Sequence, residues 1–303
     1  MTEFEFLESD RIQKIRSIIE QYGEQNFYVS FSGGKDSTVL SYLIDIALPD
    51  NSIPRVFANT GIEYAETVKF VKELSQTDKR IVIIAPSKPI KQSLNEYGYP
   101  FKSKAFSEIM ELAQRKGFEQ KSVEKVFNSD NSNYFYCPQK LQFLRNYKDL
   151  KISDKCCKIL KVEPLENWSL QNNRPYTITA LMRSEGGRRK TTVCLAFKKD
   201  KLKKFNPFAA VPEDFIEYLH CKYSIKLSPL YYEPYNFERT GCKGCPFNRN
   251  LQKDLDTLAR YFPNERKQCE DIWKPVYDLY RKHHYRLYVE KDTFLNNGGT
   301  HGE

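Results

Sequence analysis

The sequence predicts an α/β fold built on a doubly wound, mostly parallel sheet with helices on both faces. Three apolar, β-prone runs occupy residues 27–30, 53–58 and 81–85, and segments with helical periodicity separate them. Strands and helices that alternate at these lengths form βαβ units, whose strands run parallel. Ligands of such sheets bind beyond the carboxyl ends of the strands, so the residues that follow each run are candidates for a site.

The remaining elements are helices at both ends of the chain and further strands in its middle. Apolar residues at helical spacing predict an amphipathic helix over 4–22, packed on the main domain or, in a homo-oligomer, on a second copy. Residues 176–181 are predicted to form a strand, with 191–197 as its neighbour and the lysine-rich 198–204 as an exposed hairpin or loop. The predicted division into an N-terminal helix, an α/β domain and a helical C-terminal segment is 1–23, 24–235 and 236–303.

Composition argues against a membrane protein and favours anionic ligands. No apolar run in the 303 residues approaches the roughly 20 needed to cross a bilayer, and the N-terminus is acidic rather than signal-like. We expect a cytoplasmic protein with no membrane partner. The formal charge of +9 favours ligands such as nucleotides, sulfate or nucleic acid. Because the cytosol keeps thiols reduced, the eight cysteines indicate metal ligation or redox chemistry rather than disulfides.

The segment Ser32–Ser37, with the sequence Ser-Gly-Gly-Lys-Asp-Ser, joins the first apolar run to a helix-like stretch. Gly33 and Gly34 allow positive φ and leave no Cβ between the backbone N–H groups and an anion at the positive end of the helix. The spacing is neither that of the common P-loop nor that of a dinucleotide-binding turn. The segment is therefore a candidate phosphate cradle, and the alternative is a plain turn closed by two glycines.

Polar residues at this edge of the predicted sheet supply further candidate groups. Lys35 adds a mobile positive charge, while Asp36 or Ser37 would cap the helix or help to hold Mg²⁺. Asn59-Thr60-Gly61 follows the second strand, so Thr60 and Gly61 would lie at the same edge and are candidate ligand contacts. For this tripeptide alone, a plain turn is an equal alternative.

Two pairs of cysteines have metal-ligand spacing. Cys156 and Cys157 are adjacent, and Cys242 and Cys245 form a Cys-x-x-Cys motif. A single Cys-x-x-Cys motif fits a redox dithiol, half of a zinc site or half of an iron–sulfur site. Simple zinc sites prefer a second Cys-x-x-Cys motif, so the adjacent pair favours iron–sulfur. Four free or zinc-bound cysteines are the alternative.

These motifs together resemble those of a known family. Ser-Gly-Gly-Lys-Asp-Ser is similar to the pyrophosphate loop, or PP-loop, of the adenine nucleotide α-hydrolase superfamily, whose members bind adenylyl nucleotides. The cysteine pairs narrow the resemblance to the sulfonucleotide reductases, which act on adenylyl sulfate and phosphoadenylyl sulfate. The similarity extends in register from about residue 27 to about residue 247. Besides the PP-loop, the segments that carry it are Asn59–Gly61 with Glu66-Thr67, Asp154–Leu165, Thr179–Arg189, Asn206–Phe208, Pro229–Tyr231 and Thr240–Cys245.

The resemblance implies a cofactor and roles for several residues. In family members with both cysteine pairs, four thiolates hold a 4Fe-4S cluster beside the nucleotide pocket. The implied ligands here are Cys156, Cys157, Cys242 and Cys245. Lys161 would lie between the cluster and the substrate anion, as a catalytic residue together with Lys35 and Asp36. Arg183 and Arg189 would contact phosphate or sulfate, with a solvated surface run at 188–190 as the alternative.

The chain departs from the reductase pattern at the catalytic thiol. The reductases attack the sulfur of the sulfonucleotide with a cysteine in a Glu-Cys-Gly-Leu/Ile-His tail. This tail has no counterpart here, and no cysteine follows Cys269. Leu160, Met182 and Ser184 also replace residues of the family pattern, so substrate contacts are expected to differ.

Two enzymatic functions follow from the resemblance. The first is a sulfonucleotide reductase-like iron–sulfur enzyme, in which Cys269, Cys137 or a partner supplies the nucleophile and a thiol or electron-donor protein supplies electrons. The alternative is an ATP pyrophosphatase-type sulfurtransferase that adenylates and thiolates a nucleic acid or another acceptor. The lysines of 198–204 suit such a polyanion. A non-catalytic nucleotide-sensing module is a third hypothesis. Either enzyme would bind a small-molecule nucleotide, which is ATP or an adenylyl sulfate.

Overall fold

A computed structural model describes residues 2–128 and 136–288, and this part of the chain contains a six-stranded sheet and ten α-helices. The strands are β1 (Phe27–Phe31), β2 (Arg55–Ala58), β3 (Ile81–Ile84), β4 (Tyr176–Ile178), β5 (Leu195–Lys198) and β6 (Lys201–Phe205). The helices are α1 (Glu3–Tyr22), α2 (Lys35–Ala47), α3 (Ala65–Thr77), α4 (Ile90–Tyr97), α5 (Lys104–Lys116), α6 (Lys121–Asn128), α7 (Glu163–Gln171), α8 (Glu213–Lys222), α9 (Leu251–Tyr261) and α10 (Pro263–Lys282).

The sheet has the strand order β3-β2-β1-β4-β6-β5. Its neighbouring strands are parallel except for β5 and β6, which form an antiparallel hairpin at one edge. β1 is flanked by both of its partners, with Ser30 opposite Val56 of β2 and Tyr28 opposite Thr177 of β4. The predicted fold class is confirmed. From β1 the chain adds β2 and β3 on one side of this strand, and it later adds β4, β6 and β5 on the other side. The strand order therefore reverses at β1, and ligands are expected beyond the carboxyl end of this strand.

The prediction that 191–197 forms the neighbour of β4 is wrong. Thr191 ends a short 3₁₀ helix, and the strand begins only at Leu195. β6, rather than β5, lies beside β4. The reason is the tight turn at Lys199 and Asp200, both of which have positive φ, because this turn sends the lysine-rich segment back along the sheet. The lysine-rich segment is therefore a hairpin, which was one of the two predicted forms.

Contacts within the chain divide it into two compact units. Among the described residues, unit 1 contains 2–96 and 155–243, with the whole sheet, and unit 2 contains 97–128, 136–154 and 244–288. Unit 2 is therefore assembled from stretches that are distant in sequence. The division predicted from the sequence, with boundaries after residues 23 and 235, follows position along the chain and stays a prediction.

Unit 1 has two apolar clusters packed against its sheet. In the larger cluster, α1 and α2 pack on β1 and β4 because the apolar residues of both helices recur at helical spacing. The members from these elements include Ile15, Ile18, Ile19, Phe27, Val29, Val39, Leu40, Leu43, Ile44 and Ile178. The smaller cluster joins β1 and β2 to α3 through Phe31, Phe57, Phe70 and Val71. The predicted N-terminal helix is thus α1, and it packs on the sheet of its own chain.

Unit 2 is mainly helical, with α5 packed on α6 and α9 on α10. Aromatic side chains form much of its interior, including the fully buried Phe101, Phe106, Trp273, Tyr277 and Tyr280. The predicted helical C-terminal segment is confirmed by α9 and α10. The loop predicted at 128–133 lies outside the described residues, except that Asn128 ends α6. In the ranges that the structure describes, no helix is long and apolar enough to cross a membrane.

Candidate functional site

The PP-loop lies between the end of β1 and the start of α2, where the sequence predicted a cradle. Gly33 has a φ of +69°, and a Cβ at this position would lie 2.7 Å from Val71 Cγ2. A Cβ on Gly34 would lie 3.1 Å from Tyr231 Oη. Residue 33 must therefore be glycine, because its φ is positive and there is no room for a Cβ. At residue 34, glycine is favoured only because a Cβ would be crowded.

Serine hydroxyls hold the PP-loop in shape from inside. Ser37 Oγ accepts a hydrogen bond from Ser32 N at 3.2 Å and donates one to Gly34 O at 3.0 Å. Ser32 Oγ accepts from Gly34 N at 3.3 Å. Ser37 is buried at the start of α2, and its hydroxyl shapes the turn. The helix begins after Gly34 without a side-chain cap, so Ser37 does not cap it, and its other predicted role, at Mg²⁺, stays a prediction.

Two residues that the sequence did not identify as site residues complete the PP-loop. Tyr231 Oη accepts a hydrogen bond from Lys35 N at 3.0 Å and lies 2.7 Å from Thr240 Oγ1. Both residues fall within segments that carried the family resemblance, Pro229–Tyr231 and Thr240–Cys245. The signal was present in the sequence, but nothing in it indicated that a residue 196 positions away contacts the PP-loop.

Charged side chains surround the start of α2. Lys35 Nζ lies 3.6 Å from Glu217 Oε2. Arg189 and Arg239 both pair with one carboxylate oxygen of Glu185, whose side chain is 3% exposed, and the contact from Arg239 Nη1 is 2.8 Å long. Burial, reinforced by the neighbouring Arg239, lowers the pKa of Arg189 from its ordinary value. Arg239 Nη2 also lies 3.5 Å from Glu213 Oε1, so the two guanidinium groups face two carboxylates at this place.

Asp36 lies among these charged groups. Burial raises the pKa of Asp36 from its ordinary value of 3.8, although the charges of Lys35, Arg239 and Arg189 act in the opposite direction. Within the described chain, its carboxylate has no hydrogen-bond or ion-pair partner. Arg183, by contrast, is exposed and donates from Nε to Thr192 O at 2.6 Å, and its predicted contact with an anion stays a prediction.

The Asn59-Thr60-Gly61 segment is a turn that positions a carboxylate. Gly61 has a φ of +79°, and its N–H donates to Asn59 Oδ1 at 3.1 Å. Thr60 Oγ1 donates to Glu63 Oε1 at 2.9 Å. Thr60 and Glu63 are both buried, so this acidic side chain, which the sequence did not identify, is fixed beyond the end of β2.

Glu63 connects this turn to the predicted cysteine centre. Lys161 Nζ lies 3.1 Å from Glu63 Oε1, and Cys242 Sγ lies 4.0 Å from the same oxygen. Residues 63 and 242 also form an isolated antiparallel bridge. The backbone around Cys242 is therefore tied to the turn that follows β2.

The electrostatics of Lys161 show that two of the predicted cysteines lie near it. Burial alone would lower the pKa of Lys161, but Cys242, Glu63 and Cys157 outweigh burial and raise its pKa above the ordinary value. Burial raises the pKa of the Cys242 thiol to about 12, even though Lys161 favours the thiolate. The structure thus brings Lys161, Cys157 and Cys242 near one another, and their roles at a cluster stay a prediction.

The other two predicted cluster ligands are Cys156, which directly precedes Cys157, and Cys245, which lies three positions after Cys242. Cys156 is buried beside Cys157, directly before a π-helical turn at Lys158–Val162 that leads into α7. Such turns are rare in proteins, and those that occur are often found at functional sites. Cys245 belongs to unit 2, where Tyr277 Oη bonds to the carbonyl of the preceding Gly244. All eight cysteines are among the described residues, and none forms a disulfide.

The thiols proposed as substitute nucleophiles are buried in unit 2. Cys269 is 0% exposed, and a Cβ on Gly244 would lie 2.7 Å from its sulfur. Cys137 is also 0% exposed, and burial raises the pKa of its thiol to about 12. A buried thiol with a raised pKa is a poor nucleophile, because the thiolate is the reactive form. Neither residue is placed for attack on a substrate from solvent.

A cavity of about 590 Å³ opens beside the turn after β2. Asn59, Gly61 and Glu63 line one side of it, and side chains of α3 line another. Lys69, Lys72 and Lys243 line the cavity together with Glu63 and Glu73, so its lysines outnumber its carboxylates by one. This arrangement suits the binding of an anionic group near the Lys161–Glu63 pair.

Fold and site together define a class of protein. It is an α/β protein with a PP-loop, basic side chains around that loop, and thiols beyond the same edge of the sheet. A family model described as the phosphoadenosine phosphosulfate reductase domain matches residues 26–127 and 124–248. The chain belongs to this family.

Curated relatives with similar sequences come from Methanocaldococcus jannaschii. The uncharacterized protein MJ0973 is 29% identical over 149 residues, which cover 45% of this chain and 36% of the relative. The uncharacterized protein MJ0066 is 35% identical over 97 residues, which cover 32% of this chain and 20% of the relative. The matches therefore span about a third and a fifth of the lengths of these relatives.

Three solved structures are similar to this chain. A phosphoadenylyl-sulfate reductase from Candida auris, in a phosphate complex, has a TM-score of 0.42 at 12% identity and covers 76% of this chain and 93% of its own. The NH3-dependent NAD synthetase of Campylobacter jejuni has a TM-score of 0.41 at 15% identity, with 91% and 95% covered. The U34-tRNA thiolase NcsA of Methanococcus maripaludis, with its [4Fe-4S] cluster, has a TM-score of 0.39 at 16% identity, with 93% and 80% covered.

Proposed function

We propose that this protein is an iron–sulfur enzyme that binds an adenylyl nucleotide and performs redox chemistry on it, in the manner of a sulfonucleotide reductase. The observation that carries the proposal is the position of Lys161. Its ammonium group pairs with Glu63 at the turn after β2 and lies within the electrostatic reach of Cys157 and Cys242. The ammonium group of Lys161 is thus close both to the sheet edge where a nucleotide is predicted to bind and to two of the predicted cluster ligands.

The PP-loop supplies the nucleotide site in this proposal. The N–H groups of Gly34 and Lys35 point at the hydroxyls of Ser32 and Tyr231. A phosphate or sulfate oxygen is a stronger acceptor than a hydroxyl, because a hydrogen bond to an ionised group is roughly twice as strong. An anion would therefore compete well for these donors. Arg189 and Arg239 would add guanidinium groups to the same anion.

The cysteines fit a cluster by their donor chemistry. Cys156, Cys157 and Cys242 offer only thiols, which suit iron and other soft metals. Thiolates are the ligands that hold iron–sulfur clusters, and the family resemblance implies Cys245 as the fourth ligand.

Bound at these thiolates, a 4Fe-4S cluster would supply electron storage or charge next to the substrate. Lys161 would hold the substrate anion, and Glu63 would fix the position of the Lys161 ammonium. Lys35 would neutralise charge on the nucleotide phosphates. Electrons would come from an external thiol or an electron-donor protein.

The test is an anaerobic preparation of the full chain, supplied with adenylyl sulfate or phosphoadenylyl sulfate and a dithiol. Sulfite release without nucleic acid is the expected result. Lys161→Met should abolish release, while Lys158→Met, a change at an exposed lysine on the same π-helical turn, should retain it. No sulfite from either sulfonucleotide, with intact iron content, would overturn the reductase proposal.

A second candidate function is favoured by Asp36. Its carboxylate lies at the start of α2 without a protein partner among the described residues, and carboxylate oxygens are the ligands that Mg²⁺ prefers in proteins. We therefore also consider an ATP-dependent sulfurtransferase that releases pyrophosphate and thiolates a nucleic acid. The same preparation is assayed with Mg-ATP and RNA or DNA. Pyrophosphate release that nucleic acid stimulates and Asp36→Asn removes would support this candidate in place of the first.

A further inference from the structure

The exposed side of α8 carries three different metal-binding side chains. Glu217, His220 and Cys221 are spaced i, i+3 and i+4, so they share one face of the helix. His220 Nδ1 lies 3.4 Å from Glu217 Oε1, while Cys221 Sγ lies 3.7 Å from Glu217 Oε1 and 3.9 Å from His220 Nδ1. We infer that these three side chains form a binding site for a divalent metal ion of the zinc type.

The distances match the geometry of a tetrahedral ion. Zinc bonds of about 2.0 Å to nitrogen or oxygen and 2.3 Å to sulfur place neighbouring ligand atoms of this set about 3.3–3.5 Å apart. The observed separation of 3.4 Å between nitrogen and oxygen falls in this range, and the two separations from sulfur, 3.7 and 3.9 Å, are slightly longer. Three protein ligands leave a fourth position, which faces solvent and would hold water. An ordinary Glu–His ion pair on a helix surface would explain the contact between Glu217 and His220. It would not explain why the Cys221 thiol lies close to both of these side chains.

Tyr232 orients the imidazole in the way that metal-binding histidines require. Tyr232 Oη lies 3.2 Å from His220 Nε2 and also accepts a hydrogen bond from Leu227 N at 3.3 Å. With Nε2–H donating to Tyr232, the lone pair of Nδ1 faces Glu217 and Cys221. A hydrogen bond at the second ring nitrogen is the usual support for a histidine ligand.

The chemistry of the donors selects the class of ion. A thiolate and an imidazole favour borderline or soft ions, whereas Mg²⁺ and Ca²⁺ prefer oxygen ligands. Zinc is the ion that accepts a carboxylate, an imidazole and a thiolate together without redox chemistry. The site is thus distinct in its donors from the four-thiol centre proposed above.

The same carboxylate also holds a residue of the PP-loop. Glu217 Oε2 lies 3.6 Å from Lys35 Nζ, while Glu217 Oε1 faces His220 and Cys221. A cation bound at Oε1 would neutralise the carboxylate and weaken its hold on Lys35. Lys35 would then be available to nucleotide phosphates, so metal binding should tighten nucleotide binding. This coupling rests on the proposed nucleotide site, whereas the metal site itself does not.

Cobalt titration of the cluster-loaded full chain tests the metal site. Co²⁺ in a tetrahedral site with a thiolate gives strong visible and near-ultraviolet absorption. The wild type should bind one equivalent, and Cys221→Ser should lose the thiolate band. Tyr232→Phe should bind about tenfold more weakly, as expected when the support of a histidine ligand is removed. Cys194→Ser, at another partly exposed cysteine of unit 1, is the control and should bind like the wild type.

Identical cobalt spectra for the wild type and Cys221→Ser would overturn the site. Coupling is tested by measuring ATP affinity with and without one equivalent of Zn²⁺. A severalfold gain in the wild type that disappears in Glu217→Gln is expected. Zinc that binds without changing ATP affinity would overturn the coupling. If cobalt binds as expected but no nucleotide binds at all, the proposed function fails while the metal site stands.

Discussion

At the turn between β1 and α2, a single methyl group is enough to disturb the backbone. Gly33 has a φ of +69°, and an added Cβ would meet Val71 Cγ2 at 2.7 Å and Thr67 Cγ2 at 3.0 Å. The left-handed conformation costs a non-glycine residue about 1–2 kcal/mol before any clash is counted. Because both neighbours belong to α3 and are buried, they have little room to move.

Gly33→Ala should therefore lower the free energy of unfolding by about 1–2 kcal/mol or more. It should also weaken ATP binding by about tenfold or more, since 1.4 kcal/mol corresponds to a factor of ten. Urea unfolding and calorimetric titration measure the two effects. Gly241→Ala is the matched control, because that glycine lacks positive φ and has no atom within 4 Å of an added Cβ. Equal behaviour of the two variants would contradict the prediction.

The Lys161–Glu63 pair should show energetic coupling. The Glu63 side chain is 3% exposed, so Lys161→Gln leaves a buried carboxylate with Thr60 Oγ1 as its remaining close partner. Loss of one partner of a buried group costs about 1–3 kcal/mol, and the lower part of that range is expected because the Lys161 side chain is 34% exposed. In the double variant Lys161→Gln, Glu63→Gln, the loss in unfolding free energy should be smaller than the sum of the single losses. Additive losses by urea unfolding would contradict the pairing.

At the scale of elements, α1 is attached to α8 by a buried carboxylate as well as by apolar packing. Glu8, whose side chain is 6% exposed, accepts hydrogen bonds from Lys222 Nζ at 2.5 Å and Tyr218 Oη at 3.0 Å, and one from Tyr223 Oη. Burial raises the pKa of Glu8, but the hydrogen bonds from Lys222 and the two tyrosines outweigh it. The resulting pKa lies below the ordinary value of 4.5.

A carboxyl group whose pKa is lowered by folding stabilises the protein above its unfolded pKa and ceases to do so as pH falls through the folded pKa. Above pH 4.5, Glu8→Gln should therefore be less stable than the wild type. The difference should shrink as pH decreases below that value. Urea unfolding of both proteins from pH 7 to pH 3 gives the difference directly. A difference that does not vary with pH would show that Glu8 acts through packing alone.

The elements also show which local patterns the sequence specifies. Helical spacing of apolar residues predicted α1 to within one residue, because a half-buried helix must keep one apolar stripe. The order of β5 and β6 was mispredicted, because β6, the strand that pairs with β4, is the lysine-rich one and carries less apolar signal than β5. What decides their order is the turn at Lys199 and Asp200, neither of which is a glycine or asparagine.

For the whole molecule, the local motifs of the site could be predicted from the sequence, whereas contacts between distant segments could not. The sequence predicted the PP-loop, the turn after β2 and the residues near Lys161 because each is local and carries its own chemistry. It did not predict Tyr231 or Glu63, whose contacts with Lys35 and Lys161 depend on how distant segments fold together.

The proposed cluster makes the stability of the molecule depend on iron. Four deprotonated thiols repel one another without metal, and burial raises the pKa of the Cys242 thiol to about 12, so the apo form keeps this group as a neutral thiol. Binding of iron to the folded state alone stabilises it by mass action. Removal of iron by an anaerobic chelator should thus lower the thermal midpoint, by about 2–4 °C for each kcal/mol lost.

Cys242→Ser should remove the dependence of stability on iron, because an alkoxide does not replace a thiolate as an iron ligand. The thermal midpoint of this variant should be the same before and after chelation. Cys194→Ser, which leaves all four proposed ligands in place, should keep the full iron-dependent shift. Differential scanning calorimetry with parallel iron analysis checks both expectations. If the wild type contains iron but its midpoint does not respond to chelation, the metal is not bound in a way that depends on the fold, and Cys156, Cys157, Cys242 and Cys245 are not its ligands.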